Sequence, residues 1–388
     1  MLTAFAAVPA AKEGQQASDA ERIRFLESTA RRLLEGCRVR ARDGTTLYTP
    51  DGRGNYRALW TRDFAYMVEN AGDLIPTDDV EACLRYLLRG QRDDGAIPDR
   101  VDPEGLPIYV AGSPEHPLGR ANLDNPGFLV IAVDEYLKRL PRGRAERLFR
   151  EWSASLDRAM DWVPRSQRGL VFNDPADPHS PYGFTDTVGK TGELFFESLL
   201  DWTACGRLAA WHDHAGKADR AEAYRARRRK IERNLEVLWD EPRGAFLAAT
   251  HDCRQIDVWG NAYAIDLGIP LPGRRDRVLR FLVDRRDQFL WRGQVRHLLK
   301  GETWQRQLAP VPPGRYQNGA YWATASGWVI NALSCIDPQL ARRVFRELIA
   351  DFLAQGVHEC IAEYHRQLES YVVSAANPLG TVRKLGWP

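Results

Sequence analysis

Apolar residues recur every three to four positions through most of the chain, and the stretches that break this rhythm are short, polar and rich in glycine or proline. The spacing predicts a first helix over residues 19–36, with Ile23, Leu26, Ala30, Leu33 and Leu34 on one face and Gly36 as its stop. A second, over residues 58–69, begins with Trp60, Arg62 and Asp63 close together. A third spans 77–89 and runs into the turn chemistry of Asp94-Gly95 and Ile97-Pro98. Pro126 suits the first position of a helix reaching Lys138, and residues 145–162 are helical again. Phe195, Leu199, Trp202, Cys205 and Leu208 mark the buried face of a helix from 190 to about 214, followed by one over 217–238. Residues 257–268 read as a loop entering a short helix closed by Gly268, and 275–286 is helical. An aromatic, amide-rich loop over 315–322 then leads into a helix ending at Ile336. Residues 338–355 carry the clearest stripe of all: Ala341, Val344, Phe345, Leu348, Ile349, Phe352 and Leu353.

The count is eleven or twelve helices with few strand signals, and loops bearing aromatic or acidic residues recur at the starts of alternate helices. No strict repeat is present, which argues against a tetratricopeptide-like solenoid. A chain of 388 residues exceeds the usual size of a single core, so two domains or one large closed architecture are expected. Six helical hairpins closed into a ring, an all-α (α/α)6 barrel, fit the periodicity best; an open helical array is the alternative. Residues 1–18 read as a flexible leader and 19–388 as one barrel domain. The leader is small and apolar without a charged start, so it is either disordered or the remnant of an export signal. A cytoplasmic location is favoured, with a periplasmic or secreted one if the remnant reading holds.

Charge and cysteine content narrow the function classes. The 54 basic and 52 acidic residues leave a formal charge of +2, and the basic ones are dispersed, so no nucleic-acid footprint is present. No apolar run approaches the roughly 20 residues that cross a bilayer. Six cysteines, at 37, 83, 205, 253, 335 and 360, fall mostly on apolar helical faces, as buried reduced thiols do. His358-Glu359 with His365 lacks the spacing of a zinc-protease helix, and His251-Asp-Cys253 has no partner cluster at ligand spacing, so no metal site is expected. No cofactor-binding motif is found.

Candidate chemistry centres on Tyr182-Gly-Phe-Thr-Asp-Thr-Val-Gly-Lys-Thr-Gly-Glu193. This glycine-punctuated turn carries one carboxylate, Asp186, just ahead of a helix anchored in the core, which is where a scaffold would hold a catalytic acid. Twelve Trp and thirteen Tyr add a second hint, because several sit beside Gly, Asn or Asp in loops, where flat rings can stack on sugar faces.

Several of these stretches resemble the six-hairpin glycosidases: the amyloglucosidase-type and debranching enzymes, trehalases, processing glucosidases and α-L-rhamnosidases. Leu59-Trp-Thr-Arg-Asp63 is similar to the Trp-x-Arg-Asp segment that holds the terminal sugar in those barrels. Phe184-Thr-Asp186, with Gly189-Lys190 and Glu193, resembles the segment that carries their general acid, although Phe184-Thr185 replaces the more usual Trp-Met or Gly-Trp. Trp259-Gly-Asn-Ala-Tyr263 and Tyr316-Gln-Asn-Gly-Ala-Tyr-Trp322 resemble further pocket segments, and Ile361-Ala-Glu-Tyr364 resembles the region supplying the general base.

The resemblance covers roughly residues 20 to 384 and implies an exo-acting, inverting glycoside hydrolase for an α-linked, gluco-type sugar. Glycoside hydrolysis needs two flanking carboxyl groups, and Asp186 is then the acid, with its pKa raised, and Glu363 the base. Glu359 is the rival base, four residues earlier and on the same face if the segment is helical. Lys190 near Asp186 would favour its ionised form. Arg62, Asp63, Asp124 and Asn318 are expected to bind hydroxyls. Trp60, Trp259 and Trp322 are expected to stack on the ring, and Lys190, Glu193, Tyr316 and Glu359 complete the expected pocket. The expected partner is an oligosaccharide or glycoside. Two other readings remain open: a sugar epimerase of the N-acylglucosamine 2-epimerase type using His297, His358 and His365, and a non-catalytic glycan-binding toroid.

Overall fold

The computed structural model describes residues 17–113 and 115–387, among which twelve α-helices alternate between two burial patterns. Helices α1 (Asp19–Gly36), α3 (Thr77–Arg89), α5 (Arg142–Trp162), α7 (Ala218–Asn234), α9 (Arg275–Asp284) and α11 (Pro338–Gln355) each bury one stripe. Helices α2 (Thr61–Ala71), α4 (Asn125–Leu137), α6 (Phe195–His214), α8 (Val258–Leu267), α10 (Ser326–Ser334) and α12 (Val373–Lys384) are buried nearly all round. A helix that is apolar on one face lies at the surface, whereas one apolar on all faces is enclosed. The sequence thereby sorts outer from inner helices.

Contacts between helices follow the same division. The inner six run in series, α2 to α4, α6, α8, α10 and α12, and α12 returns to α2. The outer helices pack on them, α5 against α4 and α6, α9 against α8 and α10, α11 against α10 and α1 against α12. Glycines allow the last joins to be tight. A Cβ on Gly327 of α10 would lie 2.2 Å from Thr381 Oγ1 of α12, and one on Gly380 of α12 would lie 2.1 Å from Asn70 Oδ1 of α2.

The predicted helix boundaries shift at functionally telling places. Leu59–Trp60 is a short strand, β1, which pairs antiparallel with β2 (Arg100–Val101), itself paired with β3 (Pro107–Ile108). The predicted start of α6 at Lys190 moves to Phe195, because Gly192–Glu193 pairs with Phe172–Asn173. Helix α7 ends at Asn234 and a 3-10 turn follows (Leu235–Leu238). Local pattern does not predict helix α12, since Asn377-Pro-Leu-Gly380 reads as a loop; Pro378 lies inside the helix, and Asn377 bonds to Asn70 and Thr324 across the helix interface.

The segment carrying the two base candidates is a hairpin, not a helix. Strands β4 (His358–Ala362) and β5 (His365–Glu369) pair with Ala362 opposite His365, leaving Glu363 and Tyr364 as the two-residue turn. Glu359 and Glu363 therefore do not share a face, as helical spacing would have required.

Residues 1–16 of the expected leader lie outside the described residues, and Ser18 belongs to the fold. Its hydroxyl accepts from Glu21 N while the Glu21 carboxylate takes Ser18 N, a capping box that starts α1. All six cysteines are free; five are buried and Cys335 is exposed. Among the described residues no helix is long and apolar enough to cross a membrane.

Candidate active site

Segments at the N-terminal ends of the inner helices converge on one small cavity. The start of α2 supplies Trp60, Arg62 and Asp63, and the turn before α6 supplies Gly183, Phe184 and Asp186. Tyr316 comes from the loop before α10, Tyr371 from just before α12, Glu359 from β4, and Pro50 and Tyr56 from the loop after α1. Adjacent residues on a helix point about 100° apart, but at the helix mouth Arg62 and Asp63 both reach this space.

Arg62 is held from below. Its Nη1 lies 2.5 Å from Asp99 Oδ1, and the other Asp99 oxygen takes Arg100 Nη1 at 2.7 Å. Arg100 is fixed in turn to the carbonyls of Val110 and Gly112. The two guanidinium carbons lie 5.3 Å and 4.5 Å from the Trp60 ring centroid. Trp60 thus stands on a fixed cationic support, with Tyr56 edge-on at 5.3 Å.

Three carboxyl groups share the cavity, and burial disfavours the charge on each. Asp63 is raised to about 6, with burial outweighing Arg62 and the hydrogen bond that its Oδ1 takes from Tyr371 Oη at 2.6 Å. Asp186 is also raised to about 6 by burial, against the pull of Arg62 and of the Gln317 amide, which donates to Oδ1 at 2.8 Å. Glu359 is raised well above the usual carboxylate range. Burial is the main cause, Asp63 and Asp186 add to it, and the 2.9 Å hydrogen bond from Tyr56 Oη to Oε1 opposes it. Glu359 Oε2 is buried and has no partner among the described residues. Close carboxyl groups of this kind lose their protons as a set.

A second, wider space adjoins the first and is lined by Arg57, Arg100, Ile108, Leu118 and Thr187 among others. Tyr56, Trp60, Asp186 and Tyr316 border both spaces. Asp186 is the one carboxylate common to the two linings, while Asp63 and Glu359 face the inner space alone.

Several expected site residues stand elsewhere. Glu363 is exposed on the hairpin turn, where it accepts from Tyr364 Oη at 2.9 Å, and it does not line the cavity. Lys190 is buried against Glu197 at 2.8 Å, so its charge is spent there and does not hold Asp186 ionised. Glu193 turns to Arg168 at 3.3 Å. Trp259 is enclosed, stacked at 3.7 Å on His297, and Trp322 is enclosed behind Phe184 and Tyr316. Asp124 lies beneath the turn, where Oδ2 accepts Gly183 N at 2.9 Å; burial raises it to about 7. Asn318 braces its own loop, accepting Trp304 N and donating to Val311 O.

Tyr56, Tyr371, Asp99, Arg100 and Gln317 join the site without any motif that marks them in the sequence. Tyr371 adjoins the helix that local pattern does not predict, and Asp99 and Arg100 lie in a turn-rich segment. Tyr316 and Gln317 carry a structural signal instead, since Tyr316 has φ of 38°, a left-handed conformation rare outside glycine and concentrated at functional sites.

No family model and no curated protein matches the chain. Solved structures do. The family GH63 mannosylglycerate hydrolase from Thermus thermophilus, in complex with Tris, superposes with a TM-score of 0.66 at 18% identity, covering 92% of this chain and 99% of that one. A rhamnosidase from Klebsiella oxytoca with rhamnose bound gives 0.65 at 16% identity over 94% of this chain. The chain shares its fold with these solved hydrolase and rhamnosidase structures. A family GH78 rhamnosidase from Bacillus sp. GL1 also matches, at 0.65 and 16% identity over 98% of this chain. This chain spans 64% and 36% of the lengths of the two rhamnosidases.

Proposed function

We propose that this chain is a glycoside hydrolase in which Asp186 is the general acid and Glu359 the general base. The supporting observation is the position of Asp186 at the boundary between the two spaces. A sugar ring in the inner cavity and its leaving group in the outer space would set the glycosidic oxygen beside Asp186, where a proton is needed. Glu359, facing only the inner space, is then the group that activates water on the far side of the ring, and its unpartnered Oε2 is the atom to receive that water. Such a water donates a hydrogen bond to the ionised form and so offsets the burial that raises Glu359.

The cycle of inner-helix contacts is consistent with a closed (α/α)6 barrel over residues 19–388, with this pocket at one end. A small inner cavity behind a wide mouth favours exo action on a terminal sugar. Trp60 offers a ring face and an Nε1 that has no partner among the described residues, and Arg62 and Asp63 offer polar contacts to hydroxyls. Inversion, with an α-linked gluco-type sugar, is the reading that the resemblance to this superfamily favours. The sugar epimerase reading has less support: His297 is enclosed behind Trp259, and neither His358 nor His365 lines the cavity.

The test is a screen of aryl glycosides and small oligosaccharides with the wild-type chain and Asp186→Asn, following the product by NMR. Release of the anomer opposite to that of the substrate, abolished in the variant, supports the proposal. Unchanged turnover in the variant, or an isomerised monosaccharide as product, refutes it.

A further inference from the structure

Gln317 is buried with no exposed surface, and every polar atom of its side chain is committed. Its Oε1 accepts Thr187 N at 2.8 Å and Thr187 Oγ1 at 2.7 Å. Its Nε2 donates to Asp186 Oδ1 at 2.8 Å and to Gly183 O at 3.2 Å. A backbone N–H can only donate and a backbone carbonyl can only accept, so these partners fix which end of the amide faces which way. The amide cannot turn over without opposing Thr187 N with a donor and Gly183 O with an acceptor. The backbone is held too: Trp304 Nε1 donates to Gln317 O at 2.8 Å, and Asn318 ties the same loop to Trp304 and Val311.

We infer that Gln317 is the positioning residue of the acid, selecting which oxygen of Asp186 carries the transferable proton. An obligate donor points at Oδ1, and the carbonyl oxygen of a protonated carboxyl is the better acceptor, so Oδ1 is favoured as the carbonyl and Oδ2 as the proton carrier. Among the described residues Oδ2 takes no hydrogen bond, so it is free to meet a glycosidic oxygen. Without the amide the proton would be distributed over both oxygens, and half of the acid population would present it to the wrong side. The charged and titratable groups around Asp186 are Arg62 and Asp63 from α2, Asp99 and Arg100 from the β2 segment, Glu359 from β4, and the phenols of Tyr56 and Tyr316. None of these substitutes for the amide, since Arg62 is committed to Asp99, the Tyr56 phenol donates to Glu359, and the Tyr316 hydroxyl lies against Tyr56 Oη at 3.4 Å.

This inference rests on Asp186 being the general acid, and the experiment separates the two claims. Gln317→Met and Asp186→Asn are compared on two substrates of the sugar that the wild-type chain cleaves: the glycosyl fluoride, whose leaving group needs little protonation, and the methyl glycoside, whose leaving group needs a proton. For Gln317→Met, kcat on the methyl glycoside is expected to fall about 10- to 100-fold, part of the 10²–10⁴-fold that proton transfer supplies, with less than about a threefold loss on the fluoride. The basic limb of its pH profile is expected to move up, because a donor to the ionised carboxylate is gone. Gln317→Glu, close to isosteric, is expected to recover activity only at acid pH, where its protonated carboxyl can donate to Oδ1. Equal losses on both substrates with an unmoved basic limb would show Gln317 to be scaffold alone and overturn the inference. Equal losses for Asp186→Asn would instead remove the acid assignment on which it stands.

Discussion

Tyr56→Phe isolates one hydrogen bond to the proposed base. The substitution keeps the ring, with its edge-on contacts to Trp60 at 5.3 Å and Tyr371 at 6.3 Å, and removes only the hydroxyl that donates to Glu359 Oε1 at 2.9 Å. Both oxygens of a buried carboxyl are then without a partner. A hydrogen bond to an ionised group contributes about 1.5–3 kcal/mol, which at about 1.4 kcal/mol per pH unit is a shift of about 1–2 units. The sign follows from the donor: the phenol stabilises ionised Glu359, so its loss raises the pKa further. A base must be ionised, so the acidic limb of kcat/KM moves to higher pH by that amount. Below the limb the rate falls about 10- to 100-fold, and well above it the rate recovers to near wild type. Tyr316→Phe is the control, since its hydroxyl lies 3.4 Å from Tyr56 Oη and is not bonded to Glu359. The assay is a full pH profile for the three chains on one substrate. A loss equal at every pH, with the limb unmoved, would refute the reasoning and make Tyr56 a sugar contact only.

Three further expectations concern the frame of the site. Lys190→Met leaves Glu197 buried without its counter-ion, and denaturant unfolding should show a loss of about 3–5 kcal/mol. Gly183→Ala places a Cβ 1.6 Å from Arg62 Nε, and the guanidinium must leave Asp99; overpacking of this kind costs about 1–3 kcal/mol, and a lower melting temperature should accompany weaker turnover. Asp124, raised to about 7 in the fold, contributes stability that is full below its unfolded value near 4 and is lost as pH rises through about 7. Asp124→Asn should therefore flatten the fall in urea midpoint between pH 5 and pH 8, and parallel pH dependences in the two chains would contradict this.

Much of the architecture is written in local periodicity, because a one-sided stripe and an all-round apolar helix differ in sequence before they differ in structure. The stripe of α11 and the unbroken apolar run of α4 show this directly. Helix α12 is hidden because Pro378 and Gly380 signal a break, while the helix is stabilised by packing that joins it to α2 and α10. The site is legible where its residues belong to helix mouths, as with Trp60, Arg62 and Asp63, or to the turn at Asp186. It is not legible where strand and helix readings place side chains differently. Helical spacing lets Glu359 and Glu363 share a face, but the hairpin turns one into the cavity and leaves the other at its tip. Lys190 and Trp259 illustrate the other failure, since a residue beside a motif in sequence can be drawn into the core by another partner, Glu197 for Lys190 and His297 for Trp259.

The proposed pairing of Asp186 with Glu359 across the inner cavity stands or falls on kcat/KM for Glu359→Gln and Glu363→Gln on the same substrate, with both chains shown to be folded. A loss of about 10²–10⁴-fold is expected for Glu359→Gln, and a rate within about twofold of wild type for Glu363→Gln, as for an exposed residue outside the site. Retained activity in Glu359→Gln together with loss in Glu363→Gln would contradict the pairing.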